Sequence, residues 1–219
     1  MGACSRSHTG WPWSVGPLTR ESLDERIQAR FLKSAPTLAE CPDDGVAEVA
    51  ILGRSNAGKS SVLNQLTGNR HLARTSKTPG RTRLINFFDT DRGGRLVDLP
   101  GYGYARASHA ERHVWQREVE RYLEARDPLC ALVLVTDCRH PFHAFDQHML
   151  GWARAAALPA LVLLNKADKL AHGARTKCLR DAERFLREQP HTQAILFSAA
   201  TGDGRKFLID WLSERLAAG

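Results

Sequence analysis

The chain has 219 residues, 42% of them hydrophobic and 25% charged, the balance of one globular domain with at most a short extension. No apolar run approaches the ~20 residues that a membrane-spanning helix requires, so a helical transport protein is excluded. The formal net charge of +7 is unevenly spread: residues 1–48 hold five Arg/Lys against seven Asp/Glu, which leaves +9 for the remainder. The five cysteines, Cys4, Cys41, Cys130, Cys138 and Cys178, are odd in number and lack C-x-x-C spacing. Reduced, structural thiols in a cytoplasmic protein are therefore expected, rather than disulfides or a zinc site.

Met1 to Arg20 has one basic residue, Arg6, ahead of Trp11 and Trp13 and no long apolar core behind them, a poor signal peptide. Residues 1–24 are expected to form a disordered tail. Leu23, Ile27 and Phe31 recur at helical spacing, so a short helix is expected over Leu23–Leu32, ended by Ser34-Ala35-Pro36. With the loop Thr37–Gly45 it makes a lead-in over residues 25–45, and the main domain is expected over 46–217. Val46 to Leu52 reads as a strand. It runs into Gly53-Arg54-Ser55-Asn56-Ala57-Gly58-Lys59-Ser60, which fits G-x-x-x-x-G-K-[ST], and then into a segment with Val62, Leu63 and Leu66 at helical spacing. Strand, glycine loop and helix are the order that phosphate binding needs. The loop turns N–H groups inward as an anion nest, and the helix N-terminus adds partial positive charge. Gly58 lets the backbone approach phosphates closely. Lys59 puts an ammonium on the β/γ-phosphates, and the Ser60 hydroxyl is a hard ligand for Mg²⁺.

Arg70 to Arg83 carries Arg70, Arg74, Lys77, Arg81 and Arg83 and no acid. It lacks hydrophobic periodicity, so it is a connecting loop, and such basicity beside a phosphate site suggests a phosphate-rich partner such as RNA. Leu84–Phe88 is a strand, Asp91–Gly94 a hairpin turn and Arg95–Leu99 the next strand. The last ends in Asp98-Leu99-Pro100-Gly101, where Asp98 can hold Mg²⁺ through water and the Gly101 N–H can touch a terminal phosphate. Ser108–Ala125 is an amphipathic helix with Val114, Trp115, Val119, Tyr122 and Leu123 near one face. Leu129–Val135 is a continuous apolar run, as a central parallel strand should be. A helix over His143–Ala157 and a buried strand over Ala160–Leu164 follow.

That strand leads into Asn165-Lys166-Ala167-Asp168, where a base can be read. An Asn side chain can bond the purine six-position and N7 edge. The Asp carboxylate can accept two hydrogens from guanine N1 and its exocyclic amine. Adenine offers no such donor pair and leaves the carboxylate unpaired, so the motif selects GTP over ATP. Ala174–Glu188 is a helix with Leu179, Ala182, Phe185 and Leu186 inward. Gln193–Phe197 is the last strand, and a backbone N–H in the following Ser198-Ala199-Ala200 would meet the guanine six-oxo group. Arg205–Leu216 closes the chain with Phe207, Leu208, Trp211, Leu212 and Leu216 on an apolar face. The count gives a doubly wound α/β sheet of about six mostly parallel strands, helices on both faces and motifs at strand carboxyl ends. His109 and His113 share a helix face, but no carboxylate or cysteine cluster completes a zinc site.

These motifs resemble the translation-factor-like branch of Ras-like P-loop GTPases. More closely, G-R-S-N-A-G-K-S-S, S-K-T-P-G-R-T, L-I-N-F-F, D-L-P-G-Y-G-Y-A, N-K-A-D and F-S-A resemble the EngB family (YihA or YsxC), bacterial ribosome-biogenesis GTP-binding proteins. The resemblance covers roughly Phe31 to Leu216. It implies a cytoplasmic, monomeric GTP/GDP switch that assists assembly of the large ribosomal subunit, contacts ribosomal RNA or a subunit precursor, and supports cell division through that role. The runner-up is a GTP-binding module with another RNA or protein partner. By resemblance, the nucleotide is held by Gly53, Arg54, Ser55, Asn56, Ala57, Gly58, Lys59 and Ser60, by Gly80, Arg81, Thr82, Arg83 and Leu84, by Asp98, Leu99, Pro100 and Gly101, by Asn165, Lys166, Ala167 and Asp168, and by Phe197, Ser198 and Ala199. Lys59, Thr82 and Gly101 would serve catalysis. Thr82 would be the switch-I threonine and second Mg²⁺ ligand beside Ser60, with Asp98 through water. Tyr102 stands where many GTPases place a water-orienting glutamine, so intrinsic hydrolysis should be slow and await a partner. In related GTPases an Asn at the position of Asn56 helps bind K⁺, which implies K⁺ stimulation here.

Overall fold

The computed structural model describes residues 26–69, 71–72, 84–102 and 109–217, the side chains of 109–116 excepted. Its strands are β1 (Ala29–Ala35), β2 (Glu48–Gly53), β3 (Ile85–Thr90), β4 (Arg95–Asp98), β5 (Leu129–Asp137), β6 (Ala160–Asn165) and β7 (Thr192–Leu196). They form one sheet in the order β1-β3-β4-β2-β5-β6-β7. β4, β2, β5, β6 and β7 run parallel, and β3 is antiparallel to both its neighbours. Five helices join them: α1 (Lys59–Thr67), α2 (His109–Ala125), α3 (Ala144–Ala155), α4 (His172–Phe185) and α5 (Arg205–Leu216).

The unbroken apolar runs of the central strands follow from helices on both faces. Val49 and Ile51 of β2, Val133 and Val135 of β5, and Leu161 and Leu163 of β6 pack with Val62, Leu63 and Leu66 of α1 and Leu208, Trp211 and Leu212 of α5. The alternate residues Ala50, Leu52, Leu132, Leu134, Val162 and Leu164 meet Tyr122 and Leu123 of α2, Met149 and Leu150 of α3 and Ala182 of α4. This is the expected doubly wound α/β architecture. From β2 the chain passes to β3 and then β4 on one side, and from β4 it crosses to β5 on the other, so the crevice at the carboxyl ends of β2 and β5 is the topological switch point where such sheets bind ligands.

Three expectations need correction. The first is the helix over Leu23–Leu32: from Ala29 onward the chain is strand β1, and the sheet has seven strands rather than about six. A spacing of four is two strand periods as well as one helical turn, so Ile27 and Phe31 fit either element. The β3–β4 hairpin leaves the outer edge of β3 with unpaired N–H and C=O groups, and residues 29–35 satisfy them. Phe31 faces Phe88 across this pairing, ring edge against ring face at 5.9 Å between centroids. Second, Phe185 is not inward. It is 41% exposed and stacks on Phe142 at 4.4 Å. Third, Phe207 is 45% exposed, whereas Ile209 takes the buried place beside Leu208. The inward face of α5 is centred on Leu208, Trp211 and Leu212, and Phe207 lies outside that arc.

The amino ends of the strands are locked by charge. Glu48, at the start of β2, is wholly buried. Arg126, just beyond α2, grips it with Nε at 2.8 Å and Nη2 at 2.6 Å, and the Tyr122 hydroxyl donates to it at 2.7 Å. Arg95 at the start of β4 lies 3.7 Å away and bonds Asp44 and Asp89. Burial first, and then the Glu48 charge, push the Tyr122 phenol well above its ordinary pKa, so it stays a donor. Removing one partner of a buried pair strands the other charge. The substitution Arg126→Met should therefore cost about 3–5 kcal/mol of unfolding free energy, read from urea denaturation. A loss below ~1 kcal/mol would mean that Glu48 is neutralised by other means.

Candidate functional site

The phosphate loop is built by two left-handed residues. Asn56 has φ 67°, a region that Asn tolerates better than most side chains, and Gly58 has φ 99° as the N-cap of α1. The turn closes with the Ala57 N–H donating to the Arg54 carbonyl at 2.9 Å, and the helix begins with the Val62 N–H on the Gly58 carbonyl at 2.9 Å. The first N–H groups of α1 have no intrahelical acceptor and form an anion site. Gly53 is dictated by crowding: a Cβ there would lie 2.5 Å from the Val135 carbonyl oxygen. Lys59 and Asp98 form an ion pair in which both side chains are largely buried. The lysine ammonium thus stands next to the carboxylate predicted to serve a metal, and Ser60 follows on the same first turn.

β4 continues past its last paired residue to lie along the loop. The Leu99 N–H bonds the Ile51 carbonyl at 3.0 Å, the Tyr102 N–H bonds the Gly53 carbonyl at 3.4 Å, and the Ser55 N–H bonds the Tyr102 carbonyl at 2.6 Å. The Tyr102 ring is 5% exposed and packs on Phe145 of α3 at 4.3 Å. It is core, not a reagent beside the phosphates. Arg54 reaches the other way, with Nη1 3.1 Å from His143 Nε2 at the N-cap of α3. Asp146 caps that helix by accepting the His143 N–H at 2.9 Å, and burial pushes its carboxyl up to about 6.

The base-reading motif follows β6. Asn165 is 1% exposed, and its amide is braced on two sides. Nδ2 donates to the Ala57 carbonyl at 2.7 Å, and Oδ1 accepts the Ala199 N–H at 3.2 Å. A carbonyl requires a donor and an N–H an acceptor, so the amide has one allowed orientation. The sequence suggests the purine edge for this side chain; the structure adds a clamp between the phosphate loop and the loop after β7. Lys166, at φ 66°, sends Nζ to the Asn56 carbonyl at 2.6 Å. Asp168 lies in the 3-10 turn Ala167–Lys169, which is tied to the last loop by the Ala167 N–H on the Phe197 carbonyl at 3.0 Å. Its carboxylate accepts the Ser198 hydroxyl at 2.7 Å, and this bond above all, with Lys169 nearby, lowers its pKa and keeps it ionised. An ionised acceptor is what guanine N1–H and its amine require.

The structure therefore brings together Gly53 to Ser60, Asp98 to Gly101, Asn165 to Asp168 and Phe197 to Ala199. Leu84 lies at the edge of the described chain, 36% exposed. Gly80, Arg81, Thr82, Arg83 and most of the basic loop lie outside the described residues, as do Cys4, Trp11 and Trp13. The remaining four cysteines are free thiols. Two contributors escape the sequence reading. One is the Ser198 hydroxyl, counted only for its backbone. The other is Asp137, whose one signal is a carboxylate ending an apolar strand, the same signal that marks Asp98. Among the described residues no three His, Cys, Asp or Glu side chains gather as a metal cluster, and no helix is long and apolar enough to cross a membrane.

Comparison with known proteins bears on this geometry. Residues 48–166 match the family of 50S ribosome-binding GTPases. The chain is 47% identical over 193 residues to the probable GTP-binding protein EngB of Nitrosococcus oceani, covering 88% of this chain and 96% of that protein. The EngB protein of Sodalis glossinidius is 49% identical over 188 residues, 84% of this chain and 89% of its own. The chain belongs to the EngB family of GTPases. Among solved structures, one of a probable GTP-binding protein engB superposes with a TM-score of 0.63 at 23% identity, over 79% of this chain and all of that one. Era bound to MgGDPNP and a 16S ribosomal RNA segment superposes with a TM-score of 0.60 at 20% identity, over 77% of this chain and 56% of that one. At such identities these two show a shared fold.

A Cβ on residue 58 would meet Asn165 Nδ2 at 2.3 Å, on a backbone that L-residues avoid. Left-handed strain alone costs of order 1–3 kcal/mol. Gly58→Ala should thus weaken GDP binding at least about tenfold in fluorescence titration. Unchanged affinity would show that loop and clamp separate freely.

Proposed function

We propose that the chain is a slowly hydrolysing GTP switch that acts in the cytoplasm, as a monomer, on the large ribosomal subunit during its assembly, and that cell division depends on it through that role. The observation that carries this reading is the match of residues 48–166 to the 50S ribosome-binding GTPases. The +9 borne by the chain after residue 48 supports an RNA-rich partner.

In this reading the loop amides from Gly53 to Ser60 wrap the phosphates, and Lys59 moves its ammonium from Asp98 to the β/γ-phosphate oxygens. The Gly101 N–H senses the γ-phosphate. Asp168 accepts from guanine N1–H and the exocyclic amine, Asn165 spends its remaining donor on the purine edge, where N7 and the six-oxo group both accept, and Phe197, Ser198 and Ala199 close the base pocket. Ser60 and Thr82 hydroxyls, with Asp98 through water, make a hard-oxygen donor set that fits Mg²⁺. When bound, Mg²⁺ supplies positive charge where negative charge gathers between the β- and γ-phosphates. Packing of Tyr102 against Phe145 supports slow hydrolysis, because the position that orients water in many GTPases is committed to the core.

The ribosomal assignment is tested by sedimenting the purified chain with large subunits. Binding should be about fivefold or more stronger with a non-hydrolysable GTP analogue than with GDP. No binding in either state would overturn the assignment and favour a different RNA or protein partner. The potassium reading rests on Asn56, whose left-handed φ is already a backbone reason for an Asn there. If its side chain also holds K⁺, single-turnover GTP hydrolysis should be about tenfold or more faster in K⁺ than in Na⁺. Equal rates would leave Asn56 with its backbone role alone.

A further inference from the structure

Asp137 ends β5 directly opposite Asn165 in the β5–β6 register. Its carboxylate gathers donors from two segments. From its own loop, Arg139 donates its backbone N–H at 3.1 Å and Nε at 2.9 Å to Oδ1, and Nη2 at 2.6 Å to Oδ2. From the base-reading motif, Lys166 donates Nζ to Oδ2 at 2.9 Å. Arg139 most of all, and Lys166 after it, hold the Asp137 carboxyl well below the usual carboxylate range. Lys166 bridges onward to the Asn56 carbonyl at 2.6 Å. A fixed chain of contacts therefore runs from Arg139 through Asp137 and Lys166 to the phosphate loop.

A lysine head on a four-carbon stem is a poor rigid connector by itself. The neutral Asn56 carbonyl offers it one hydrogen bond. Asp137 adds a second anchor and the compensating charge, and it is only 18% exposed in doing so. Lys166 is also the left-handed residue that aims the following turn, and Asp168 sits on that turn. Tethering its side chain at both ends thus constrains where the base-reading carboxylate lies. The plainer account is that Asp137 merely closes the loop after β5 by bonding Arg139 two residues on.

We propose that Asp137, braced by Arg139, is a positioning residue for guanine-nucleotide binding: it fixes Lys166 Nζ against the Asn56 carbonyl and so holds the base-reading turn in register with the phosphate loop. The proposal rests on the guanine-nucleotide reading of the site given above.

The test is a double-mutant cycle on the full chain, with N-methylanthraniloyl-GDP affinity as the readout. Residues in direct contact typically couple by 0.5–3 kcal/mol, about two- to 150-fold in affinity. D137N should weaken binding about tenfold in the native background and less than about twofold in a K166A background. A loop-closing role would cost the same in both. An equal loss in the two backgrounds, or no loss in the native one, overturns the proposal. If D137N does not fold, R139A keeps the carboxylate and serves in its place. Its loss should be about threefold and should likewise vanish in the K166A background; a loss that persists there, or no loss at all, overturns the proposal. Failure of the unmodified chain to bind the GDP probe would overturn the guanine-nucleotide reading as well, so the two failures are distinguishable.

Discussion

The phosphate loop and the loop after β7 are joined through a single buried amide. Asn165 Nδ2 holds the Ala57 carbonyl in a buried bond and Oδ1 holds the Ala199 N–H in a partly buried one. A buried polar group left without its partner costs about 1–3 kcal/mol, so neither loop can drift from the amide cheaply. The same amide explains why residue 58 is glycine twice over. The backbone there is left-handed, and the space a Cβ would fill is the space the amide occupies. The phosphate loop and the loop after β7 thus share one rigid object, and a displacement of either reaches the other through Asn165.

That object stands on a sheet whose far end is held with equal firmness. Glu48 begins β2 and the phosphate loop starts at its end, at opposite ends of the six-residue central strand. The Arg126 fork and the Tyr122 hydroxyl fix Glu48, and through it the height of β2 relative to β5 and α2. Buried ion pairs are a poor route to net stability against apolar packing, but they tolerate little displacement. A strand that must hold a loop at a fixed height gains more from such a lock than from another leucine.

Most of this architecture is legible in the sequence because it is local. Leu129–Val135 and Ala160–Leu164 announce covered strands, and the glycine loop announces both the turn and the helix after it. β1 is not legible, because Ile27 and Phe31 satisfy either period and the deciding factor is the open edge of β3. The orientation of Phe185 and Phe207 escapes for a similar reason: periodicity gives an arc, and the neighbouring elements decide where the arc ends. The polar braces are hidden most deeply. Asn165 meets Ala57 across 108 residues, Asp137 meets Lys166 across 29 and Ser198 meets Asp168 across 30. No residue of these pairs names its partner in the sequence, and only the fold places them in contact.

In the proposed GTP- and Mg²⁺-binding reading, the pairing of Lys59 with Asp98 would make nucleotide and metal binding interdependent. In that reading each member of the pair would have a second partner, phosphate oxygens for the ammonium and the hydration shell of a divalent cation for the carboxylate. A nucleotide arriving with its cation would exchange one ion pair for two and strand no buried charge. A nucleotide arriving alone would draw Lys59 away and leave Asp98 uncompensated beside new negative charge, which is costly between side chains this buried. Asp98 lies four residues before Tyr102, where the segment is still hydrogen-bonded to the phosphate loop on both sides of its backbone. An exchange of partners at Asp98 would therefore be felt along a segment whose Tyr102 is bonded to the phosphate loop through both its N–H and its carbonyl.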